Sequence, residues 1–245
     1  MAVSRVAFVT GGGGGIGAAI CAALACAGHR VVVADRRAER AKEVASTIDG
    51  LAVGIDVTDA ASVAAAIEQA RGGVGPVDIC VNCAGWESAT PFLETDDAFV
   101  AKILEINLIG ATRVCRSVLG GMVERGWGRV VNVASEAGRI GAPRSSIYAA
   151  AKGGLIAFSK SIAAEVARAG VTVNVISPGP IDTPLMAASQ GEYWDKVSRH
   201  LERAIPIGRV GTPAEAAAAV AFFASEPAGY ITGQTLSVSG GLTML

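Results

Sequence analysis

Aromatic side chains are scarce, with three Trp, three Tyr and six Phe making up 5% of the 245 residues. A core therefore has to be built from aliphatic side chains and alanine. Histidine is scarcer still. His29 and His200 stand alone, and a lone Cys80-x-x-Cys83 is the nearest thing to a zinc motif. No metal site is expected from so few ligands. Charge is also thin, at 18% of residues, and balanced, with 21 basic against 22 acidic side chains and a net charge of −1. No basic run offers an electrostatic reason to bind nucleic acid or an anionic membrane.

The five cysteines are an odd number and no secretory segment accompanies them. Free thiols in a reducing compartment follow, and the expected location is cytoplasmic. Val77 to Val81 reads as a buried strand, so Cys80 and Cys83, three apart, point to opposite faces. Val6 to Gly28 carries no charge and Ala25-Cys26-Ala27 imitates a processing site. However, five consecutive glycines, Gly11 to Gly15, interrupt any continuous apolar span and are costly inside a helix. The better reading is a strand, a glycine turn and an Ala-rich buried helix.

What the chain does have is apolar patterning. At 51% hydrophobic with balanced charge, it is not a disordered sequence. Short β-branched runs (Val6–Val9, Val31–Ala34, Leu51–Ile55, Val77–Val81, Arg129–Val133, Val171–Ile176, Thr235–Val238) alternate with helical stretches. The predicted helices are Ile16–Ala27, Ala38–Thr47, Asp59–Arg71, one long helix over Asp97–Glu124, and Ser146–Ala169. A further helix opens at Thr212-Pro213-Ala214-Glu215, which combines an N-cap, a proline at the first helical position and a capping-box acid. Fully apolar strands alternating with helices predict an α/β fold, a parallel sheet covered on both faces. No linker divides the chain, so residues 1–245 read as one domain, with an excursion at about 184–205 after the Pro- and Gly-rich stretch Ser177–Pro184.

Thr10-Gly11-Gly12-Gly13-Gly14-Gly15-Ile16-Gly17 lies between the first strand and the first helix, where an open parallel sheet binds a dinucleotide pyrophosphate. Ala18 and Ala19 follow Gly17, so the loop is not a P-loop. Asp35 ends the second strand, 18 residues beyond Gly17. An acid there accepts from an adenosine ribose diol and repels a 2′-phosphate, which favours NAD over NADP. Arg36 and Arg37 pull the other way, since a guanidinium can take such a phosphate. Asp56, with Val57 at the end of the third strand, is placed either for the adenine amino group or as a helix cap.

Tyr148 and Lys152 are four apart and share a helix face. A tyrosine ordinarily titrates near pH ~10, and a neighbouring ammonium lowers that. Reaching neutrality takes roughly 4 kcal/mol of differential stabilisation. Ser135, at the end of the fifth strand, stands at the sheet edge where ligands bind.

The ordered set of the glycine loop, Asn82-Cys83-Ala84-Gly85, Asn107, Ser135, Tyr148…Lys152 and Pro178-Gly179 resembles the short-chain dehydrogenase/reductase family over nearly the whole chain. That resemblance implies a doubly wound, seven-stranded parallel Rossmann sheet and hydride transfer between a nicotinamide and a carbinol or carbonyl carbon. It implies Tyr148 as general acid/base and Lys152 on the nicotinamide ribose. Ser135 would sit on the substrate oxygen and Asn107 would hold a water that leads from Lys152 to solvent. Gly11, Gly14, Gly15, Ile16, Gly17, Asp35, Arg36, Asp56, Val57, Asn82, Ala84, Gly85, Pro178, Gly179, Ile181 and Thr183 would surround the cofactor. Cys83 stands where the family usually has a second Asn. Trp86, Gly153–Lys160 and the segment Ile231 to Met244 are similar to 2-hydroxycyclohexanecarboxyl-CoA dehydrogenases, and more distantly to 3-oxoacyl-carrier-protein reductases. Trp86, Arg139, Ile147 and Met186 would border the substrate.

The expected activity is therefore an NAD-dependent secondary-alcohol dehydrogenase acting on a cyclic or branched β-hydroxyacyl-CoA. The alternatives are an NADPH-dependent ketoacyl reductase and a silent nucleotide sensor or scaffold. Methyl transfer from S-adenosylmethionine shares the sheet and the loop but has no use for a Tyr-x-x-x-Lys pair. A homo-oligomer, tetramer or dimer, is implied by the family, with Ala214–Ala224 and Thr235–Val238 as the expected interface.

Overall fold

The computed structural model describes residues 3–184, 186 and 201–245. Seven strands form one sheet: β1 (Val6–Thr10), β2 (Arg30–Asp35), β3 (Leu51–Gly54), β4 (Ile79–Asn82), β5 (Gly128–Val133), β6 (Val171–Pro178) and β7 (Thr235–Val238). Their spatial order is β3-β2-β1-β4-β5-β6-β7, and every pairing is parallel. The chain winds outward first to β3, then returns past β1 to β4. The carboxyl ends of β1 and β4 therefore diverge into a crevice, the place where such sheets take ligands.

Strand alternation supplies two cores. Phe8, Val32, Cys80 and Val130 face one side, packed with α3 (Ala60–Val74), α5 (Gly110–Arg125) and α7 (Ser146–Val166). Val9, Val33, Val81 and Val131 face the other, under α1 (Gly15–Cys26), α2 (Ala38–Thr47) and α8 (Pro213–Ala224). Cys80 packs in the first core and Cys83 against the second, as the strand reading requires. The uncharged stretch from Val6 is β1, the glycine turn and α1. Among the described residues no helix is long and apolar enough to cross a membrane.

Two helices depart from expectation. The helix drawn over Asp97–Glu124 is interrupted: α4 (Asp97–Leu104) passes through a π-helical turn, Glu105–Ile109, into α5. Asn107 lies within this turn. Its side-chain Nδ2 donates to the Ile103 carbonyl at 3.0 Å, the i−4 oxygen that backbone normally uses. The amide of Gly110 reaches back to Glu105, the i−5 bond of a π turn.

In α8 the capping box forms as read. Thr212 accepts from the Glu215 amide, and Glu215 takes the Thr212 amide at 2.8 Å. But the small residues of α8 serve the chain's own core. Ala216, Ala217, Val220 and Ala224 are buried with Ile20, Cys21 and Leu24 of α1, so only the opposite face, with Phe222 48% exposed, is left outward. The excursion expected at about 184–205 lies mostly outside the described residues.

Candidate active site

The crevice is built from glycines at its floor. A Cβ on Gly17 would stand 2.1 Å from the Gly11 carbonyl oxygen, so no side chain fits where α1 begins against the loop. Gly11 itself has φ +67° and lies close to Ala84, the backbone approach that joins the β1 and β4 ends. No side chain caps α1. Its first-turn amides therefore point into the crevice and suit an anion. Thr183 closes the far wall, 3.0 Å from where a Gly15 Cβ would stand, and its Oγ1 accepts from the Met186 amide at 3.2 Å.

Asp35 is buried at the crevice edge. Its Oδ2 accepts from the Gly13 amide at 3.1 Å and its Oδ1 from the Arg37 amide at 2.9 Å. Each oxygen keeps a further lone pair. The Arg37 guanidinium leans back on this carboxylate, Nε to Oδ1 3.6 Å, rather than outward. Arg36 is exposed, and its charge is felt by Asp56. Asp56 closes a turn with the Thr58 amide and hydroxyl, bonds that hold its carboxyl below the usual range. The helix cap considered for Asp56 belongs to Asp59, which accepts from Ala61. Val57 is buried against Gly110.

Asn82 does not line the crevice as expected. Being on the alternate face of β4, it turns into the sheet. Its Nδ2 donates to Asn132 Oδ1 at 2.8 Å and to Cys115 Sγ at 3.3 Å. Asn132 continues to Ser159 on α7. This is a buried polar tie between β4, β5 and α7. The crevice is instead shaped by Thr10, whose Oγ1 accepts the amides of Cys83 and Ala84, each at 3.2 Å. Gly179 packs on Ser239, following Pro178, while Ile181 pairs with Gly211.

Ser135, Tyr148, Lys152 and Asn107 do come together. Ser135 favours the ionised form of the Tyr148 phenol, and its hydroxyl accepts from the Ala137 amide. Lys152 Nζ lies 5.6 Å from the Tyr148 ring centre and donates to the Val133 carbonyl at 2.9 Å. A Cβ on Gly85 would meet Asn107 Oδ1 at 3.0 Å and Lys152 Nζ at 3.6 Å, so Gly85 leaves the gap between them. Asn107 is held by Trp86, as acceptor from its amide (3.2 Å) and donor to its carbonyl (2.8 Å).

One electrostatic expectation is corrected. Burial pushes the Tyr148 phenol well above its ordinary range; Glu87 and, more weakly, Cys83 add to this, and Ser135 only partly offsets it. Burial also pulls Lys152 down to about 8. The protein's own groups thus keep Tyr148 protonated. Cys83, beside Lys152, is pushed up to about 11 by burial and stays a thiol.

The substrate side is mixed. A cleft beside Tyr148 is lined by Ser88, Thr95, Phe99, Ser145 and Ile147. Trp86 packs edge-on to Phe99 at 6.0 Å, with Lys102 Nζ 3.7 Å over its ring. Arg139 does not border this cleft. It donates to the Ser237 hydroxyl on β7 and the Leu245 carbonyl, and lies 3.9 Å from Glu136. The short helix after β5, α6 (Ala137–Ile140), turns that side chain toward the sheet edge. Glu87 is half-buried, and burial raises its carboxyl above the usual range against the opposing influence of Ser145 and Lys152; it is the residue that sequence reasoning passed over. Its position after Gly85 was the available signal.

A glycine-floored crevice with a hydroxyl–phenol–amine group at its mouth defines a nicotinamide-dependent oxidoreductase site. The comparisons agree. Residues 12–243 match a family described as enoyl-(acyl carrier protein) reductase. An acetoacetyl-CoA reductase of Allochromatium vinosum is 38% identical over 249 residues, covering 99% of this chain and 100% of the relative. The 3-oxoacyl-[acyl-carrier-protein] reductase FabG of Escherichia coli is 38% identical over 243 residues, 98% of each. A crystal structure of actinorhodin polyketide ketoreductase with NADPH superposes with a TM-score of 0.94 at 35% identity, covering 99% of each chain. The chain belongs to the short-chain dehydrogenase/reductase family and is an NAD(P)-dependent oxidoreductase acting on a CH–OH donor or the matching ketone. The relatives' names favour the ketoacyl reductase alternative over the cyclic-substrate expectation.

Proposed function

We propose that the protein reduces a β-ketoacyl thioester, carried on CoA or on an acyl carrier protein, to the β-hydroxyacyl product. The observation that carries this reading is buried Lys152, fixed on the Val133 carbonyl with its Nζ 5.6 Å from the Tyr148 ring centre, together with relatives named as reductases of such thioesters. Tyr148, kept as the phenol, donates its proton to the ketone oxygen. Ser135 gives that oxygen a second hydrogen bond. Bound nicotinamide supplies the hydride at its C4. Lys152, fixed on Val133, holds the nicotinamide ribose, and Asn107 lends its remaining acceptor capacity to water near Lys152. Fixing donor and acceptor in contact supplies much of the rate.

The loop Gly11, Gly14, Gly15, Ile16 and Gly17 would take the pyrophosphate, Asp56 and Val57 the adenine, and Ala84 and Gly85 the adenosine side. Pro178, Gly179, Ile181 and Thr183 would meet the nicotinamide. Trp86, Ile147 and Met186 would border the acyl group. Asp35 supports NAD(H) as the preferred cofactor, because a buried carboxylate at the ribose disfavours a 2′-phosphate. A homo-oligomer, dimer or tetramer, would form through the outer face of α8 and the edge strand β7, where Phe222 and Leu236 are 48% and 42% exposed. Five free cysteines fit the cytoplasm.

The test is reduction of acetoacetyl-CoA with NADH and with NADPH. Tyr148→Phe is expected to lose at least ~100-fold in kcat while still binding nucleotide. Wild-type turnover by that variant would overturn the reading.

A further inference from the structure

The cleft beside Tyr148 has walls that the proton transfer does not use. Ser88 and Thr90, from the segment after β4, line it together with Arg144, Ser145 and Ile147. That segment is held at two places. Asn107 grips both polar backbone atoms of Trp86. Arg144 takes the other end: its carbonyl accepts from the Thr90 amide at 2.8 Å, and its Nη2 donates to the Ala89 carbonyl at 3.2 Å. Trp86 to Thr90 is thus a strap, fixed at both ends, along the cleft that Tyr148 lines.

Arg144 occupies a position that favours glycine. The Ser145 amide reaches the Ala142 carbonyl at 3.2 Å, closing a four-residue turn with Pro143 second and Arg144 third. Arg144 has φ +65°, so the turn is of type II, whose third residue is ordinarily Gly or Asn. Glycine adopts that φ freely, whereas a side chain there strains the backbone. A bulky, exposed residue therefore stands where glycine would fit more easily, and such strain points to a role for the side chain. What the guanidinium adds is the second tie on the strap.

The cleft closed in this way is small and rich in hydroxyls. It holds at most about 190 Å³, open solvent at its mouth included, below the ~300 Å³ at which ligand pockets usually begin. Five of its lining residues are Ser or Thr, against Phe99, Ile103 and Ile147. A long alkyl chain would cover those hydroxyls and give them no partner in place of water. We propose that Arg144 is a specificity-determining residue: by tying Ala89 and Thr90 to the start of α7 it keeps the cleft short, and so selects β-ketoacyl thioesters with short acyl chains. The inference rests on the thioester reading above and names the class of acyl group within it.

The experiment uses the full chain as wild type, Arg144→Gly and Arg144→Lys. Glycine keeps the turn and frees the strap; lysine keeps a donor. Steady-state reduction of acetoacetyl-CoA is compared with that of 3-oxododecanoyl-CoA, with kcat and KM separated for each. Wild type is expected to favour the shorter thioester in kcat/KM by at least ~10-fold. In Arg144→Gly that ratio is expected to fall at least ~3-fold, through a lower KM for the longer thioester, with Arg144→Lys between the two. A residue that only braced the fold would slow both thioesters alike and leave the ratio in place. Equal wild-type kcat/KM on the two lengths, or a ratio that Arg144→Gly does not move, overturns the proposal while the thioester reading stands. A wild-type enzyme inert on both thioesters would instead sink that reading, and this inference with it.

Discussion

Asn107 and Trp86 hold one another at both polar atoms of the Trp86 backbone: its amide donates to Asn107 Oδ1 at 3.2 Å, and its carbonyl accepts from Nδ2 at 2.8 Å. The same Nδ2 takes the Ile103 carbonyl. One buried amide therefore ties the π turn to the segment after β4. It also sets the spacing between that loop and Lys152.

Asn107→Ala removes three hydrogen bonds and strands the Trp86 amide and carbonyl. A destabilisation of about 2–4 kcal/mol is expected, read as a lower urea midpoint with an unchanged slope. Activity should fall further than the folded fraction, because the loop and Lys152 lose their common reference. A variant as stable and as active as wild type would show that the π turn is incidental.

Asp35 has two duties, bracing Gly13 and Arg37 and facing the ribose. Asp35→Ser should relieve repulsion of a 2′-phosphate, free Arg37, and move the NADPH/NADH affinity ratio by at least ~10-fold toward NADPH. Fluorescence titration of the reduced nucleotides measures the ratio. Wild-type protein that already binds NADPH tenfold tighter than NADH would contradict the assignment of Asp35.

Lys152 carries a linkage prediction for the nucleotide-free protein. Burial lowers its folded pKa from 10.5 to about 8, so between those values the unfolded chain binds more protons than the native one. Stability then rises with pH across that window, by at most about 1.4 kcal/mol per unit from this group. Below about 8 the buried ammonium is a cost. Lys152→Met should therefore melt higher than wild type near neutrality, with a gap that narrows as pH climbs from about 8 to 10.5. The loss of the bond to Val133 works against this. A gap that widens with pH would refute the burial argument. Such a lysine exchanges stability for function.

Much of this was legible beforehand, for local reasons. Strands β1, β2, β5 and β6 are runs of β-branched residues that only a covered parallel sheet buries on both faces. The glycine loop announces itself because a turn that admits no Cβ leaves no choice of residue. The Thr212/Glu215 box spans a single helical turn. Where sequence reasoning went astray, the deciding partner was distant. Asn82 was assigned to the crevice, but Asn132 and Cys115, 50 and 33 residues away, draw it into the sheet. Arg139 was given to the substrate, but Ser237, 98 residues on, claims it.

By itself, then, the order of residues determined the layers of this protein, the family it joins and the identity of its hydroxyl–phenol–amine trio. Periodicity and steric exclusion act over a few residues and need no partner. Only the tertiary structure decided the charge state of that trio and which neighbours hold it. Desolvation of Tyr148 and Lys152 and the grip of Asn107 on Trp86 all arise from chain segments brought together by packing. The energy of a buried charge depends on what surrounds it in space, and one-dimensional spacing does not encode that.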